Sequence, residues 1–371
     1  MIAGGGTGGH VVPSLQIARA LVARGHDTAS IELYGSRRGQ EATLWPSLGF
    51  PFTLLSGRGI RRSVRPGAWW DNAGAVAGLL WATVRAVGSF VRRRPRVVVV
   101  VGGYASFPAG LAAVVTRVPL VLVNTDAVPG AVNAVLGRFA AANAVAFPGT
   151  GLPRAEVTGT PVRPELASLD RAAAGRREAR AALGLPGEGF TVAAFGGSLG
   201  AHRINAAVAE LATEWAGRAG VSIYHVAGRR DYEEFARAGG EAGGLFYRVV
   251  PFEERMPELY RAVDVCVCRA GAMTVAELLV AGVPAVLVPL PGAPKDHQTR
   301  NAGALVEAGA AVLVPDGECD GARLAAELDA LTSDPARLTA MAAAARGLGH
   351  PDAAARVAEL VDGHAEAVRP P

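Results

Sequence analysis

The feature that most restricts this chain is a glycine turn, set between an apolar strand and a helix, that occurs twice. The first reads Gly4-Gly5-Gly6-Thr7-Gly8-Gly9-His10 and the second Gly196-Gly197-Ser198-Leu199-Gly200-Ala201. A strand that turns through glycines into a helix N-terminus leaves backbone N–H groups aimed at the space above it, and the helix dipole favours negative charge there. One such turn is a weak signal. Two, so far apart, point to two α/β domains facing each other across a cleft that holds a phosphorylated ligand. The length agrees, because 371 residues exceed what one core usually organises.

The intervening sequence alternates in the same sense. Residues 13–24 read as an amphipathic helix with Leu15, Ile17, Ala18 and Leu21 inward, and 31–34 as a strand ending at Gly35. The β-branched run 97–101 reads as a strand buried on both faces. It ends in Gly102-Gly103-Tyr104, a third glycine turn, and 120–123 is a further buried strand. Near Arg163-Pro164 the pattern breaks, with a linker at about 162–170 and a charged helix at 171–183. A second series follows, with strands at 190–195, 221–226, 245–250, 263–268 and 285–288. The expectation is two doubly wound parallel sheets with ligands at the carboxyl ends of their strands.

Composition narrows the partners. Half the residues are apolar and 19% charged, which suits buried parallel sheets. A net charge of +4 fits an anionic substrate or an anionic membrane surface, and is too small and dispersed for nucleic acid. Cys266, Cys268 and Cys319 form neither a disulfide framework nor a metal spacing, and read as buried thiols in a reducing cytoplasm. The first glycine turn stands where a signal peptide's charged region belongs, so none is expected.

Three segments carry chemistry. The first turn contains a formal G-x-G-x-x-G at Gly4, Gly6 and Gly9, but a dinucleotide site wants an acid at the end of the second strand, and Glu32 is expected mid-strand. The extra His10 falls in the first helical turn, where it serves either as a functional group in the cleft or as a helix cap. Arg269-Ala270-Gly271-Ala272-Met273-Thr274-Val275-Ala276-Glu277 follows a buried strand and opens a helix near Met273, whose free N–H groups and Thr274 hydroxyl can bind a diphosphate. Glu277, one turn on, is placed to accept from ribose hydroxyls or simply to complement the helix dipole. Lys295-Asp296-His297-Gln298-Thr299-Arg300-Asn301-Ala302 supplies polar groups at another strand's carboxyl end.

A different signal runs from Arg61, Arg62 and Arg65 through Trp69-Trp70, Val76, Leu79, Leu80, Trp81 and Val84 to Arg92-Arg93-Arg94. Its uncharged run, 72–84, has 13 residues, against the ~20 a bilayer span needs. Tryptophans and arginines flanking an apolar helix suit a membrane surface. The alternative is a core helix with a solvated basic flank.

Taken together, residues 4–10, Gly102-Gly103-Tyr104, Gly159-Thr160-Pro161-Val162-Arg163, residues 196–201, residues 269–277 and His297-Gln298 with Asn301-Ala302 stand in the order found in the MurG-type glycosyltransferases. The chain resembles that family over nearly its whole length. The resemblance implies a GT-B fold of two Rossmann-like domains. Residues 1–162 would face acceptor and membrane, 163–349 would bind the UDP-sugar, and a helix at about 350–371 would return to the first domain. It implies inverting transfer of GlcNAc from the co-substrate UDP-GlcNAc to the muramyl 4-hydroxyl of lipid I, a lipid-linked muramyl-pentapeptide. The setting would be peripheral, on the cytoplasmic face of the cell membrane. No cofactor is implied, no metal is implied, and no Asp-x-Asp metal motif occurs in the chain.

The resemblance also distributes roles. Thr7, Gly8 and Gly9 lie against the donor sugar-phosphate or the acceptor diphosphate, and His10 is the candidate base. Arg163 and Ser198 reach the UDP, and the backbone at Phe252-Glu253 holds the uracil. Ala272, Met273, Thr274, Val275 and Ala276 carry the diphosphate and Glu277 the ribose. Gln298 contacts the sugar, with Asn301 in support. Trp69, Trp70, Leu79, Leu80, Trp81, Arg92 and Arg93 would touch the membrane. One departure stands out: Asn124-Thr125-Asp126 replaces the family's Glu-Gln-Asn. Asp126 puts a carboxylate near a diphosphate-bearing substrate and is the rival base. Rival readings are a GT-B enzyme with a natural-product acceptor, a nucleotide-sugar 2-epimerase, a non-catalytic UDP-sugar-binding protein and, last, a nicotinamide dehydrogenase.

Overall fold

The computed structural model describes the chain except Thr7, Arg38, Gln40, residues 56–67, Ser198, Leu199 and residues 367–371; at residues 68–73, 238, 241 and 242 it describes the backbone only. The chain forms two compact units, Met1–Arg163 with His350–Pro371, and Pro164–Gly349.

Among the described residues, the first unit holds a seven-stranded sheet of β1 (Ile2–Gly4), β2 (Leu33–Ser36), β3 (Phe52–Leu55), β4 (Val98–Gly102), β5 (Leu120–Asn124), β6 (Ala142–Val145) and β7 (Ala155–Val157). The spatial order is β3-β2-β1-β4-β5-β6-β7, and every pair is parallel. Strand side chains alternate between faces, so the valine run feeds two cores. Val97, Val99 and Val101 pack with Ile17, Ala18 and Leu21, while Val98 and Val100 pack with Tyr34, Ala82, Ala86 and Phe90. The helix Ala353–Glu366 completes the first of these cores with Val357, Ala358 and Val361. At its rim Asp362 accepts from Arg24 Nε at 2.6 Å and meets His26 Nε2 at 2.7 Å.

Two local expectations shift. The first helix runs Gly8–Ala23, with Pro13 inside it. Pro13 stands past the first turn, where it forgoes the bond to the Gly9 carbonyl that an N–H would make, and Ser14 Oγ donates to the His10 carbonyl at 2.7 Å. The second strand begins at Leu33, leaving Glu32 just ahead of it. Glu32 is buried, accepts from Thr53 Oγ1 at 2.8 Å and pairs with Arg93, so it is spent on packing rather than on a nucleotide.

The second unit, again among the described residues, holds β8 (Phe190–Phe195), β9 (Val221–Val226), β10 (Gly240–Ala242), β11 (Leu245–Val250), β12 (Val265–Cys268), β13 (Ala285–Leu287) and β14 (Ala311–Leu313) in the order β10-β11-β9-β8-β12-β13-β14. All pairs are parallel except the edge pair β10/β11. That short edge strand escaped the sequence reading because glycines surround it. The strand expected from 263 starts at Val265, since Arg171 and Arg180 hold the carbonyls of Val263 and Ala262 in a turn. Cys266 and Cys268 are fully buried free thiols.

Chain order reverses between β1 and β4 in one sheet and between β8 and β12 in the other. At such a switch point the loops leave in opposite directions and open a crevice at the strands' carboxyl ends. The glycine turns after Gly4, Gly102 and Phe195, and the turn after Cys268, therefore sit where each fold has room for a ligand.

Candidate active site

In the first unit the site is built on glycines that admit no side chain. His10 stands in the first turn of the helix Gly8–Ala23, and its imidazole lies over the Gly102-Gly103 peptide. A Cβ at Gly102 would meet His10 Cδ2 at 3.1 Å, and one at Gly103 would meet the Gly5 carbonyl at 2.5 Å and His10 Nδ1 at 3.2 Å. Both glycines also have positive φ, +109° and +76°, which other residues adopt at a cost. Burial pushes the imidazole below its ordinary pKa, against the opposing pull of the Asp126 and Glu41 carboxylates. The ring is thus neutral at pH 7, the state that can take a proton.

Glu41 is a residue the sequence reading missed. It is fully buried, and its carboxylate accepts from the Gly6 N–H at 3.0 and 3.1 Å and from the Ser36 N–H at 2.8 Å. A Cβ at Gly5 or Gly39 would lie 2.1 Å from it. The Gly6 N–H thus points inward to the Glu41 carboxylate and is not offered to a ligand. No spacing rule flags an acid that acts from the far side of a neighbouring βα turn.

Asp126 follows β5 and is half-buried. The turn that carries it is clamped by two amides: Asn133 Nδ2 donates to Asn124 Oδ1 at 3.1 Å, and Asn124 Nδ2 donates to the Asp126 carbonyl at 2.6 Å. β5 adjoins β4, so Asp126, Gly102-Gly103 and His10 share one end of the sheet. Gly8 and Gly9 open the helix that holds His10, and Thr7 lies outside the described residues. Arg163, half-buried, is the last residue of this unit rather than the first of the other.

In the second unit the helix Ala272–Ala281 follows β12, with extended Gly271 as its N-cap and, among the described residues, no side chain capping it. Its first bond runs from the Val275 N–H to the Gly271 carbonyl at 2.9 Å. The N–H groups of Ala272, Met273 and Thr274 precede that ladder, as at any helix N-terminus. Val275 and Ala276 are buried, and the Val275 N–H is already spent on Gly271. Glu277 is buried as well, and Tyr260 Oη donates to its Oε2 at 3.0 Å. Asn301 Nδ2 donates to the Ala270 carbonyl at 3.1 Å, fixing the turn ahead of this helix. Gln298 Oε1 accepts from the Leu290 N–H at 2.9 Å. It follows Lys295 and Asp296, both with positive φ (+55° and +52°), a backbone strain that marks functional loops more often than inert ones.

Glu253 turns its carboxylate inward, onto the Tyr224 hydroxyl and the Arg255 N–H at 2.7 Å. Only its backbone remains for a ligand. Ser198 lies outside the described residues. Beneath the second glycine turn sits a buried chain that sequence reasoning did not find. Tyr247 Oη meets His225 Nδ1 at 2.8 Å, His225 Nε2 meets Asn205 Oδ1 at 2.9 Å, and Asn205 Nδ2 donates to the Ala227 carbonyl at 2.8 Å and to Asp231 Oδ2 at 3.1 Å. Gly200 packs on the same carbonyl, which a Cβ there would meet at 2.3 Å. Burial lowers the His225 pKa to about 4, so its imidazole is uncharged at pH 7.

The apolar segment forms a helix, Ala68–Arg93, longer than its uncharged run. Its Gly74–Arg93 part is long and apolar enough to cross a membrane. One face is already taken, however, because Ala82, Ala86 and Phe90 are buried in the first unit's core. Tyr34 and Ser89 also join it to the sheet through a 2.7 Å hydrogen bond. The other face leaves Leu80, Trp81 and Val84 about 60% exposed (59%, 63% and 61%). Leu79 is half-buried, Arg92 is exposed, Arg93 pairs with Glu32, and the side chains of Trp69 and Trp70 lie outside the described residues.

Comparison with known proteins agrees with this layout. Residues 1–145 match the glycosyltransferase family 28 N-terminal domain, and residues 191–357 match the glycosyltransferase family 28 C-terminal domain. The chain is 41% identical to the UDP-N-acetylglucosamine--N-acetylmuramyl-(pentapeptide) pyrophosphoryl-undecaprenol N-acetylglucosamine transferase of Alkalilimnicola ehrlichii, over 97% of each chain. It is 40% identical to the transferase of the same name from Nocardioides sp., over 97% of this chain and 96% of the other. The crystal structure of Acinetobacter baumannii MurG superposes with a TM-score of 0.78 at 29% identity, covering 98% of both chains. Two doubly wound units, each with glycine turns at its switch point, and this likeness over almost the full length lead to one assignment: the chain belongs to the MurG-type enzymes of glycosyltransferase family 28, of GT-B fold.

Proposed function

We propose that this chain transfers GlcNAc from UDP-GlcNAc to the 4-hydroxyl of the muramyl sugar in a lipid-linked diphospho-muramylpentapeptide, inverting the anomeric carbon in one displacement. The observation that carries this is identity of about 40% to transferases of that activity over nearly the whole chain, with His10 seated among the glycines of the first switch point. The acceptor hydroxyl must lose its proton as it attacks, and neutral His10 takes it, a contribution of typically ~10²–10⁴-fold. The bond to the UDP oxygen breaks as the new C–O bond forms. The charge left on the diphosphate falls to the N–H groups of Ala272, Met273 and Thr274, with Arg163 in support. Glu277 receives the ribose, and Gln298 the sugar hydroxyls.

We assign no metal to the reaction. The donor-side helix N-terminus supplies fixed positive dipoles for the departing diphosphate. We place the enzyme on the cytoplasmic face of the membrane as a peripheral protein. Leu80, Trp81 and Val84 would enter the interface, while Arg85, Arg92 and the neighbouring Arg94 would meet anionic headgroups. The deciding experiment offers labelled UDP-GlcNAc to a lipid I analogue, with and without chelator, and identifies the disaccharide linkage. A β-1,4 product formed equally in chelator supports the whole reading. No product with a folded chain that binds UDP-GlcNAc rejects the acceptor, and the search turns to natural-product acceptors, for which Asp126 is the supporting departure.

A further inference from the structure

Tyr260 has no part in the transfer just described, yet it touches both halves of the donor-side turn system. It lies in the helix Met256–Ala262, fully buried. Its hydroxyl donates to Glu277 Oε2 at 3.0 Å. Its ring stands edge-on to Phe195, with centroids 6.2 Å apart, and Phe195 ends β8 just before Gly196. The backbone around Tyr260 is pinned from outside. Arg171 donates to the carbonyls of Tyr260 and Val263, the latter at 2.9 Å, and Arg180 Nε donates to that of Ala262 at 3.0 Å. Arg176 and Arg180 both hold Asp264. A phenol fixed so firmly can only present its hydroxyl at one place, and that place is the Glu277 carboxylate.

Buried polar groups are hydrogen-bonded, and a bond held to one carboxylate oxygen limits how that group can turn. Burial and the neighbouring Glu277 hold the phenol well above its ordinary pKa, so it stays a donor. We propose that Tyr260 is a positioning residue for the ribose of the nucleotide. By holding one oxygen of Glu277 it aims that carboxylate at the ribose hydroxyls, and makes the site select ribonucleoside over 2′-deoxyribonucleoside diphosphates. The inference rests on the UDP-sugar reading above. A site built to bond a hydroxyl rejects the analogue that lacks it far more strongly than a merely shaped pocket does.

The test is calorimetric titration of the full chain with UDP and with 2′-deoxy-UDP, in the wild type, Tyr260→Phe, Glu277→Gln and the double variant. The wild type is expected to prefer UDP by tenfold or more. Tyr260→Phe should weaken UDP about tenfold, scarcely change 2′-deoxy-UDP, and add nothing in the Glu277→Gln background. In transfer assays its KM for UDP-GlcNAc should rise while kcat stays within twofold. Equal weakening of both nucleotides, additivity in the double variant, or a wild type without ribose preference overturns the proposal. Should Tyr260→Phe fold poorly, Glu277→Gln decides alone, since retained UDP preference there also overturns it. A chain that selects UDP in this way but transfers nothing to a lipid-linked acceptor rejects the acceptor reading and supports the role of Tyr260. A chain that transfers sugar without ribose preference does the reverse.

Discussion

The His10 ring has its place because its neighbours are absent as much as present. Gly102 and Gly103 leave a side-chain-free floor for its ring, and any Cβ at position 103 runs into the Gly5 carbonyl at 2.5 Å. Gly103→Ala is therefore expected to lower stability by about 2–4 kcal/mol, combining the clash with the strain of positive φ; urea denaturation reads this directly. The charges around His10 make a second prediction. The Asp126 carboxylate favours the protonated imidazole, so removing it lets the ring lose its proton more easily. If Asp126 acts only in this way, Asp126→Asn keeps the plateau rate and moves the acid limb of the pH–rate profile to lower pH. A collapse of the plateau would instead make Asp126 the base. These residues differ in how far sequence exposes them. His10 and Asp126 stand in or beside recognisable turns. Glu41 acts through backbone N–H groups from another loop, a role that leaves no mark on local pattern.

At the scale of elements, glycine turns at strand ends were readable because backbone geometry dictates residue type there. Helix starts and strand edges shifted by a few residues where tertiary contacts chose them, as with Glu32, which Thr53 and Arg93 hold outside β2. The helix Ala68–Arg93 shows the limit of periodicity. Its exposed and buried faces are both apolar, so only packing tells which face is the core. Its outward face yields a prediction: Leu80→Ser with Trp81→Ser should cut binding to anionic phospholipid vesicles about tenfold or more in flotation assays, while transfer to a detergent-solubilised acceptor persists. Undiminished flotation would remove this face from the membrane account. Strand β9 supplies a pH-dependent case. The His225 pKa is about 4 in the fold against roughly 6.5 unfolded. Between these values the unfolded chain binds more protons, so stability is full above pH 6.5 and falls as pH drops towards 4. The linked loss is about 3 kcal/mol. Comparing His225→Gln with the wild type by chemical denaturation should show a deficit at pH 7 that shrinks by about that amount at pH 4.

For the whole molecule, two doubly wound units were foreseeable from length, from alternation and from repeated turns. The return of the C-terminal helix to the first unit came from the family resemblance alone, because a helix packed on the first helix leaves only a generic amphipathic signal. Val357, Ala358 and Val361 fill the core beside Ile17 and Leu21, so that helix is structural. Deleting residues 350–371 should unfold the first unit and abolish transfer while Pro164–Gly349, continuous in sequence, still binds UDP by calorimetry. In the second unit neither the Tyr260–Glu277 pair nor the Tyr247–His225–Asn205 chain was legible, since buried tyrosine, histidine and asparagine look in sequence like ordinary core-edge residues. In the proposed transfer, neutral His10 is the base for a lipid-linked acceptor. The most direct measurement is single-turnover transfer of labelled GlcNAc to a lipid I analogue by the wild type and His10→Ala, each first shown to bind UDP-GlcNAc alike. The account predicts a rate lower by ~10²–10⁴-fold in His10→Ala with donor affinity unchanged; transfer at the wild-type rate without the imidazole would contradict it.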